Sequence, residues 1–214
     1  SLPIRKGMFV LLGLNRAGKT TMMKALATLL SKQSGSLSVL GIPVEDAREI
    51  RKITGYLPQD FDMYPSMRVA EALDYLAVLS GLGRQERRAR IPSLLARVNL
   101  AGQANTRVRA LSGGMLRRLG IAQALLHDPA VLIVDEPTAG LDPEERVRFR
   151  NLLCEVAEDK TVLLSTHIVG DIEATCESIA ILEAGRLLYQ GTVDALCNMA
   201  EGSVYTAEVP QAEL

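Results

Sequence analysis

This 214-residue chain has almost no net charge: 24 Lys and Arg against 25 Asp and Glu leave a formal value of −1. Without a basic excess there is no global field to attract nucleic acid, and none is expected as a partner. Long apolar runs are missing as well. Stretches such as Ala130–Val134 fall far short of the ~18 residues of a membrane span. No signal peptide is visible. The first residue is Ser1 and not Met, which reads as a processed or cut polypeptide. Cysteine is scarce. Cys154, Cys176 and Cys197 are odd in number and lack C-x-x-C spacing, so they read as buried or idle thiols in a reducing compartment. Low-complexity segments and internal repeats are absent. What remains is ordinary apolar content over a length that suits one large domain with room for a small subdomain.

What the sequence does contain is organised around Gly13-Leu14-Asn15-Arg16-Ala17-Gly18-Lys19-Thr20. An apolar run, Met8–Leu12, precedes it, and Thr21-Met22-Met23-Lys24-Ala25-Leu26 follows. The order is strand, glycine-bounded loop, helix, which is the G-x-x-x-x-G-K-[ST] pattern of a phosphate-binding loop. The glycines let the backbone curl until its N–H groups face one point. The helix adds its positive dipole end. Lys19 supplies a point charge for the outer phosphates, and the Thr20 hydroxyl can hold Mg²⁺. A glycine turn with a chance Lys-Thr is the plain alternative.

Along the chain, Lys19–Leu30 reads as a helix with Met22, Met23, Leu26, Leu29 and Leu30 on its apolar side. Leu37–Leu40 and Gly41–Val44 look like antiparallel strand material with a turn at Gly41-Ile42-Pro43. Asp46–Lys52 is a short charged helix, Ile53–Leu57 a strand, and Pro58-Gln59 closes it. From Asp60 to about Ala110 strand signals vanish. Helices are expected over Ser66–Leu79 and Arg84–Arg97, with Pro92 marking a kink or a helix start. The five arginines of the second read as a solvated face. Then α/β character returns: a helix over Met115–His127, a buried strand over Ala130–Val134, and a helix opened by Asp142-Pro143-Glu144-Glu145. Thr161–Leu164 is a further buried strand and Val169–Cys176 a helix. Ile179–Glu183 and Arg186–Tyr189 form a hairpin around Ala184-Gly185. Val193–Met199 is a short helix and Val204–Val209 a weak strand.

Three aliphatic strands separated by helices imply a parallel sheet covered by helices. Ligands of such sheets sit beyond the carboxyl ends of the strands. The phosphate loop follows the first strand, Asp135 and Glu136 the second, and Ser165, Thr166 and His167 the third. A cation site, two acids and an imidazole therefore converge on one edge. Phosphoryl transfer needs neutralised charge and an aimed water. Asp135 fits the Mg²⁺ shell through water. Glu136 fits a general base or water orienter, and His167 can bond the terminal phosphate and hold that water. A second nest, Leu111-Ser112-Gly113-Gly114-Met115, opens a helix and offers donors to phosphate, with a plain Ser N-cap as the alternative.

Gly13–Thr20, Gln59 after a strand, Leu111–Met115, Val131–Pro137, Gly140-Leu141-Asp142 and His167 together resemble, in order and spacing, the nucleotide-binding domain of ATP-binding-cassette (ABC) proteins. The resemblance covers nearly the whole chain. It implies an α/β fold: a P-loop NTPase core with a mainly parallel sheet and an antiparallel β portion over 1–60 and 111–214. A helical subdomain over 61–110 would carry the signature motif at its end. It implies ATP on Gly13, Leu14, Asn15, Arg16, Ala17, Gly18, Lys19, Thr20 and Thr21, with Mg²⁺ touched by Thr20, Gln59 and Asp135. Ser112, Gly113 and Gly114 of one chain would cap ATP held by a second copy in a head-to-tail dimer, with Asp142 at the seam. Phe61–Met67, around Tyr64-Pro65, would meet the coupling helix of a membrane permease, with the protein cytoplasmic and peripheral at the inner face of the membrane. ATP hydrolysis would then power transport. A non-transport ABC ATPase acting in DNA repair or translation, and a nucleotide-binding module with weak turnover, are the rival readings.

The chain departs from the family pattern at three points. Leu14 and Arg16 stand where Pro and Gly are usual, and Met115 stands for a Gln. If position 16 needs a positive φ, strain of the order of 1–3 kcal/mol follows. Alternatively Arg16 adds a cation near the phosphates. The family also stacks adenine on an aromatic upstream of the loop, and no aromatic precedes Phe9 here.

Overall fold

The computed structural model describes residues 2–168, 176 and 178–200. The strand expected over Val204–Val209 and nearly all of the helix over Val169–Cys176 lie outside them. Six strands form one sheet: β1 (Gly7–Leu12), β4 (Thr54–Leu57), β5 (Val131–Asp135), β6 (Thr161–Thr166), β7 (Ser178–Glu183) and β8 (Arg186–Gly191), in the order β4-β5-β6-β1-β7-β8. Strands β4 to β7 and β1 run parallel, and β8 alone is antiparallel. Two short strands, β2 (Ser38–Val39) and β3 (Ile42–Pro43), make a separate antiparallel ribbon. The expected mixed α/β fold is therefore present.

Side-chain alternation explains why both faces are covered. Val10, Leu132, Val134, Val162 and Leu164 point into one core, shared with helices α3 (Val69–Leu79), α4 (Arg84–Arg97), α5 (Gly113–Ala124) and α6 (Pro143–Asp159). Their neighbours Phe9, Leu11, Val131, Ile133 and Leu163 point the other way, toward α1 (Lys19–Leu26), α2 (Ala47–Ile53) and the ribbon. A last helix, α7 (Val193–Ala200), follows β8. Among the described residues no helix is long and apolar enough to cross a membrane.

Several boundaries differ from expectation, each for a local reason. Helix α1 stops at Leu26, because Thr28 turns left-handed at φ 60° and is gripped by Arg51 of α2, whose Nε donates to Thr28 Oγ1 at 2.9 Å. Leu29 and Leu30 are consequently 55% and 46% exposed and not on an apolar helix face. The ribbon turns at Leu40-Gly41, both with positive φ, so it is shorter than Leu37–Val44 and its turn sits earlier than Gly41-Ile42-Pro43. Two left-handed residues match the twist of such a ribbon. Ile53 ends α2 and is not part of β4. Helix α3 begins at Val69 because Arg68 is extended and bridges the extended Arg107, with Val108 N donating to Met67 O at 2.9 Å. Helix α4 runs unbroken through Pro92, which lies on its exposed side, where the freed carbonyl meets water. Helix α5 starts two residues early and ends before His127. Helix α6 opens as read, with Asp142 accepting from Glu145 N at 2.9 Å. The hairpin turns on Ala184-Gly185, also as read. Burial pushes the Cys176 thiol up to about 11 and Cys154 up as well, which disfavours the thiolate form of both.

Candidate functional site

The phosphate loop leaves β1 and enters α1 at Gly18, the helix N-cap, with φ 102°. Its floor is the β7–β8 hairpin. Gly185 N donates to Ala17 O at 2.9 Å, and Gly13 N donates to Thr166 O at 3.3 Å. A methyl group at Gly13 would lie 2.4 Å from Leu182 O, so only glycine lets the loop approach β7 this closely. Gly13→Ala is expected to cost about 2 kcal/mol of stability through forced separation of loop and hairpin, read as a lower denaturant midpoint at unchanged slope. An unchanged midpoint would remove the hairpin from the loop's support.

Asn15, Arg16, Ala17, Gly18, Lys19, Thr20, Thr21 and Gln59 line a cleft of about 340 Å³. The loop, the helix start and the glutamine after β4 thus meet as the sequence implied. Leu14 stands outside the lining and is 73% exposed. Phe9 is buried in the core, and no aromatic lines this cleft.

The acids come from the end of β5. Glu136 has φ 46°, a strained left-handed value for a residue with a side chain. Its N–H donates to Ser165 O and Ser165 Oγ, both at 3.1 Å, so the end of β6 holds the turn. The carboxylate lies between two partners. Lys19 Nζ is 3.0 Å from Oε1, a charge contact without hydrogen-bond alignment, and His167 Nδ1 is 2.7 Å from Oε2. Lys19 also donates to Gly13 O and to Leu14 O. Lys19, Glu136 and His167 therefore form one chain of contacts, brought together from three strand ends.

Asp135 is fully buried. Ser165 Oγ donates to its Oδ1, whereas Oδ2 has no hydrogen-bond partner among the described residues. A buried carboxylate oxygen left bare is costly unless a ligand uses it. Among the described residues no group of three or more His, Cys, Asp or Glu could hold a metal unaided. A Mg²⁺ ion that takes few protein donors and completes its shell with water and phosphate fits Asp135, Thr20 and Gln59. Behind them, burial first and the Asp135 charge second push the Tyr56 phenol up to about 12.

Two further residues were not singled out from sequence. Ser165 fixes both acids, and its only signal was its place at a strand end. Arg117 of α5 donates to the backbone carbonyls of Gln59 and Pro58, which ties the glutamine turn to the helix opened by Ser112. That second nest does not join the cleft within one chain. Ser112 Oγ caps α5 by accepting from Met115 N at 3.2 Å. Gly114 packs on Glu145, where a methyl would come within 2.4 Å of Oε2, while Gly113 faces open space.

The sequence pattern of the family described as ABC transporter matches residues 1–139. An uncharacterized ABC transporter ATP-binding protein of Synechocystis is 39% identical over 94% of this chain and 58% of its own length. The ABC transporter ATP-binding protein NatA of Bacillus subtilis is 38% identical over 92% of this chain and 81% of its own. The Nod factor export ATP-binding protein I of Burkholderia thailandensis is 42% identical over 86% of this chain and 61% of its own. The chain thus spans about three fifths of the first and third of these relatives. The solved structure of cbiO1 from Clostridium perfringens, described as part of the ABC transporter complex cbiONQ, superposes with a TM-score of 0.85 at 27% identity over 94% of this chain and 83% of that one. A glycine-walled phosphate loop, paired acids at the end of β5 and these sequence and structural likenesses agree: the chain belongs to the ABC transporter family.

Proposed function

We propose that the chain binds ATP with Mg²⁺ on Gly13–Thr20 and Thr21 and hydrolyses it to ADP and phosphate as the ATPase subunit of a transporter. The observation that carries this is the convergence of Lys19, Glu136 and His167 beside the bare Oδ2 of Asp135. Thr20, Gln59 and Asp135 would hold the Mg²⁺, which when bound supplies charge neutralisation for the phosphates. The backbone N–H groups of the loop and the α1 terminus cradle the phosphate oxygens. Lys19 exchanges Glu136 for the outer phosphates. Glu136, so released, accepts the proton of the attacking water, and His167 Nδ1 keeps its carboxylate aimed.

The signature nest, Ser112-Gly113-Gly114, serves a second copy. Its Gly113 N–H lies at an open helix start, and it is absent from its own chain's cleft. Residues 61–110 act as the helical subdomain beside a core of 1–60 and 111–214. On it, Tyr64 meets Tyr75 edge to face at 5.3 Å, and both are exposed beside Val78 and Leu79. This apolar patch suits a permease's coupling helix, and docking there would hold the subunit at the cytoplasmic face of the membrane.

Nucleotide titration alongside a phosphate-release assay tests the reading. Mg²⁺-dependent ATP binding with release is expected. Tight binding without release would make the chain a nucleotide-binding module instead, and copurification with nucleic acid in place of a permease would favour a non-transport ATPase.

A further inference from the structure

The nest at the head of α5 rests against the head of α6. A methyl group on Gly114 would lie 2.4 Å from Glu145 Oε2 and 2.8 Å from its carboxyl carbon, so the carboxylate lies against the bare side of that glycine. Gly114 and Arg118 are one turn apart and share a face of α5. Arg118 brings its Nε to 3.5 Å from the same Oε2. Both side chains are largely buried, 6% and 17% exposed. Neither Nε nor Oε2 has a hydrogen-bond partner among the described residues, so each charge depends on the other. Arg118 Nη1 also donates to Val98 O at 3.3 Å and Asn99 O at 3.2 Å, just past the end of α4. Glu145 is fixed from its own side as well. Its N–H donates to Asp142 Oδ1 at 2.9 Å, and its Oε1 accepts from Arg148 Nη1 at 3.1 Å. The contact is not a helix cap, because Ser112 Oγ already serves α5 in that role. Nor is a buried ion pair a cheap source of stability, since apolar residues of the same size do as well or better.

Resting on the reading of Ser112-Gly113-Gly114 as the cap of a second copy's ATP, we infer that Glu145 is the positioning residue of that nest. Held between Gly114 and Arg118, it fixes the start of α5 against the start of α6. Helix α6 follows this chain's own acids, through Glu136 and Asp142. The nest offered to a second copy is thus placed by the segment that carries this chain's own acids. Glu145 itself stands outside the lining of the cleft, so its loss should spare ATP binding by the single chain.

Two variants in the Glu136→Gln background, where ATP stays bound, test this: Glu145→Gln, and Glu145→Leu combined with Arg118→Met. Nucleotide titration reads each chain's own cleft, and sedimentation with ATP and Mg²⁺ reads dimer formation. The dimer dissociation constant should rise about tenfold in Glu145→Gln while ATP affinity of the single chain is unchanged. The second variant replaces the buried pair by apolar groups, so its thermal midpoint should match or exceed that of Glu145→Gln, with dimer formation still weakened. A dimer constant equal to the parent's in Glu145→Gln overturns the inference. Dimer formation that recovers together with the thermal midpoint in the second variant also overturns it, since the pair would then serve stability alone. So does an equal loss of ATP affinity, which would place the effect in the cleft. A parent chain that binds ATP and stays single in its presence removes the cap reading, and this inference with it.

Discussion

Glu136→Gln lowers phosphate release from ATP by roughly 100-fold or more, the span expected when a positioned general base is lost, while ATP stays bound. Both halves of that result follow from the contacts of one carboxylate. Glu136 sits between Lys19 and His167, 3.0 Å and 2.7 Å away, at the ends of strands that also deliver the phosphate loop. The amide keeps the shape and the hydrogen-bonding reach of the carboxylate but cannot take a proton. It also ceases to compete with phosphate for Lys19. ATP affinity should therefore rise several-fold in the variant, a change that loss of folding could not mimic. Equal hydrolysis rates in the variant and the parent would show that another group accepts the proton, and Asp135 would then be the next candidate.

The convergence of these residues was legible because each motif sits at a strand end, and strand ends are set by aliphatic runs that any reader of the sequence can find. Met8–Leu12, Ala130–Val134 and Thr161–Leu164 became β1, β5 and β6, neighbours in the sheet, and the chemistry followed. What stayed hidden depends on approach in space. That Gly13 must be glycine is decided by Leu182, 169 residues later in the chain, whose carbonyl leaves no room for a methyl. That α1 stops at Leu26 is decided by Arg51, which grips Thr28. Apolar periodicity carried Leu29 and Leu30 into the helix, since no local signal opposes it. Ser165 was read only as the residue after a strand, although its hydroxyl and carbonyl position both acids. Arg16 shows the reverse case: sequence posed two alternatives, strain or an added cation, and the φ of 71° bears out the left-handed backbone of the first, while the second remains an expectation for a side chain that lines the cleft.

The second large effect concerns Lys19 and separates stability from binding. Lys19→Met is expected to remove nearly all ATP affinity and to lower stability by about 3 kcal/mol, because it strands a buried carboxylate without its cation. Lys19 and Glu136 are each about 5% exposed, so neither charge can turn to water for relief. Met fills much of the volume of the lysine stem, so packing is not the cause of the loss. Glu136→Gln alone should cost less, since the ammonium left behind keeps its bonds to Gly13 O and Leu14 O. Combining the two changes should recover most of the stability lost in Lys19→Met, while ATP affinity stays absent. Such a non-additive result is what a directly coupled pair produces. Denaturant unfolding of the four proteins, with nucleotide titration of each, reads both quantities. Additive stabilities would mean that the 3.0 Å contact carries no coupling, and full ATP binding by the double variant would mean that the loop grips phosphate without its lysine.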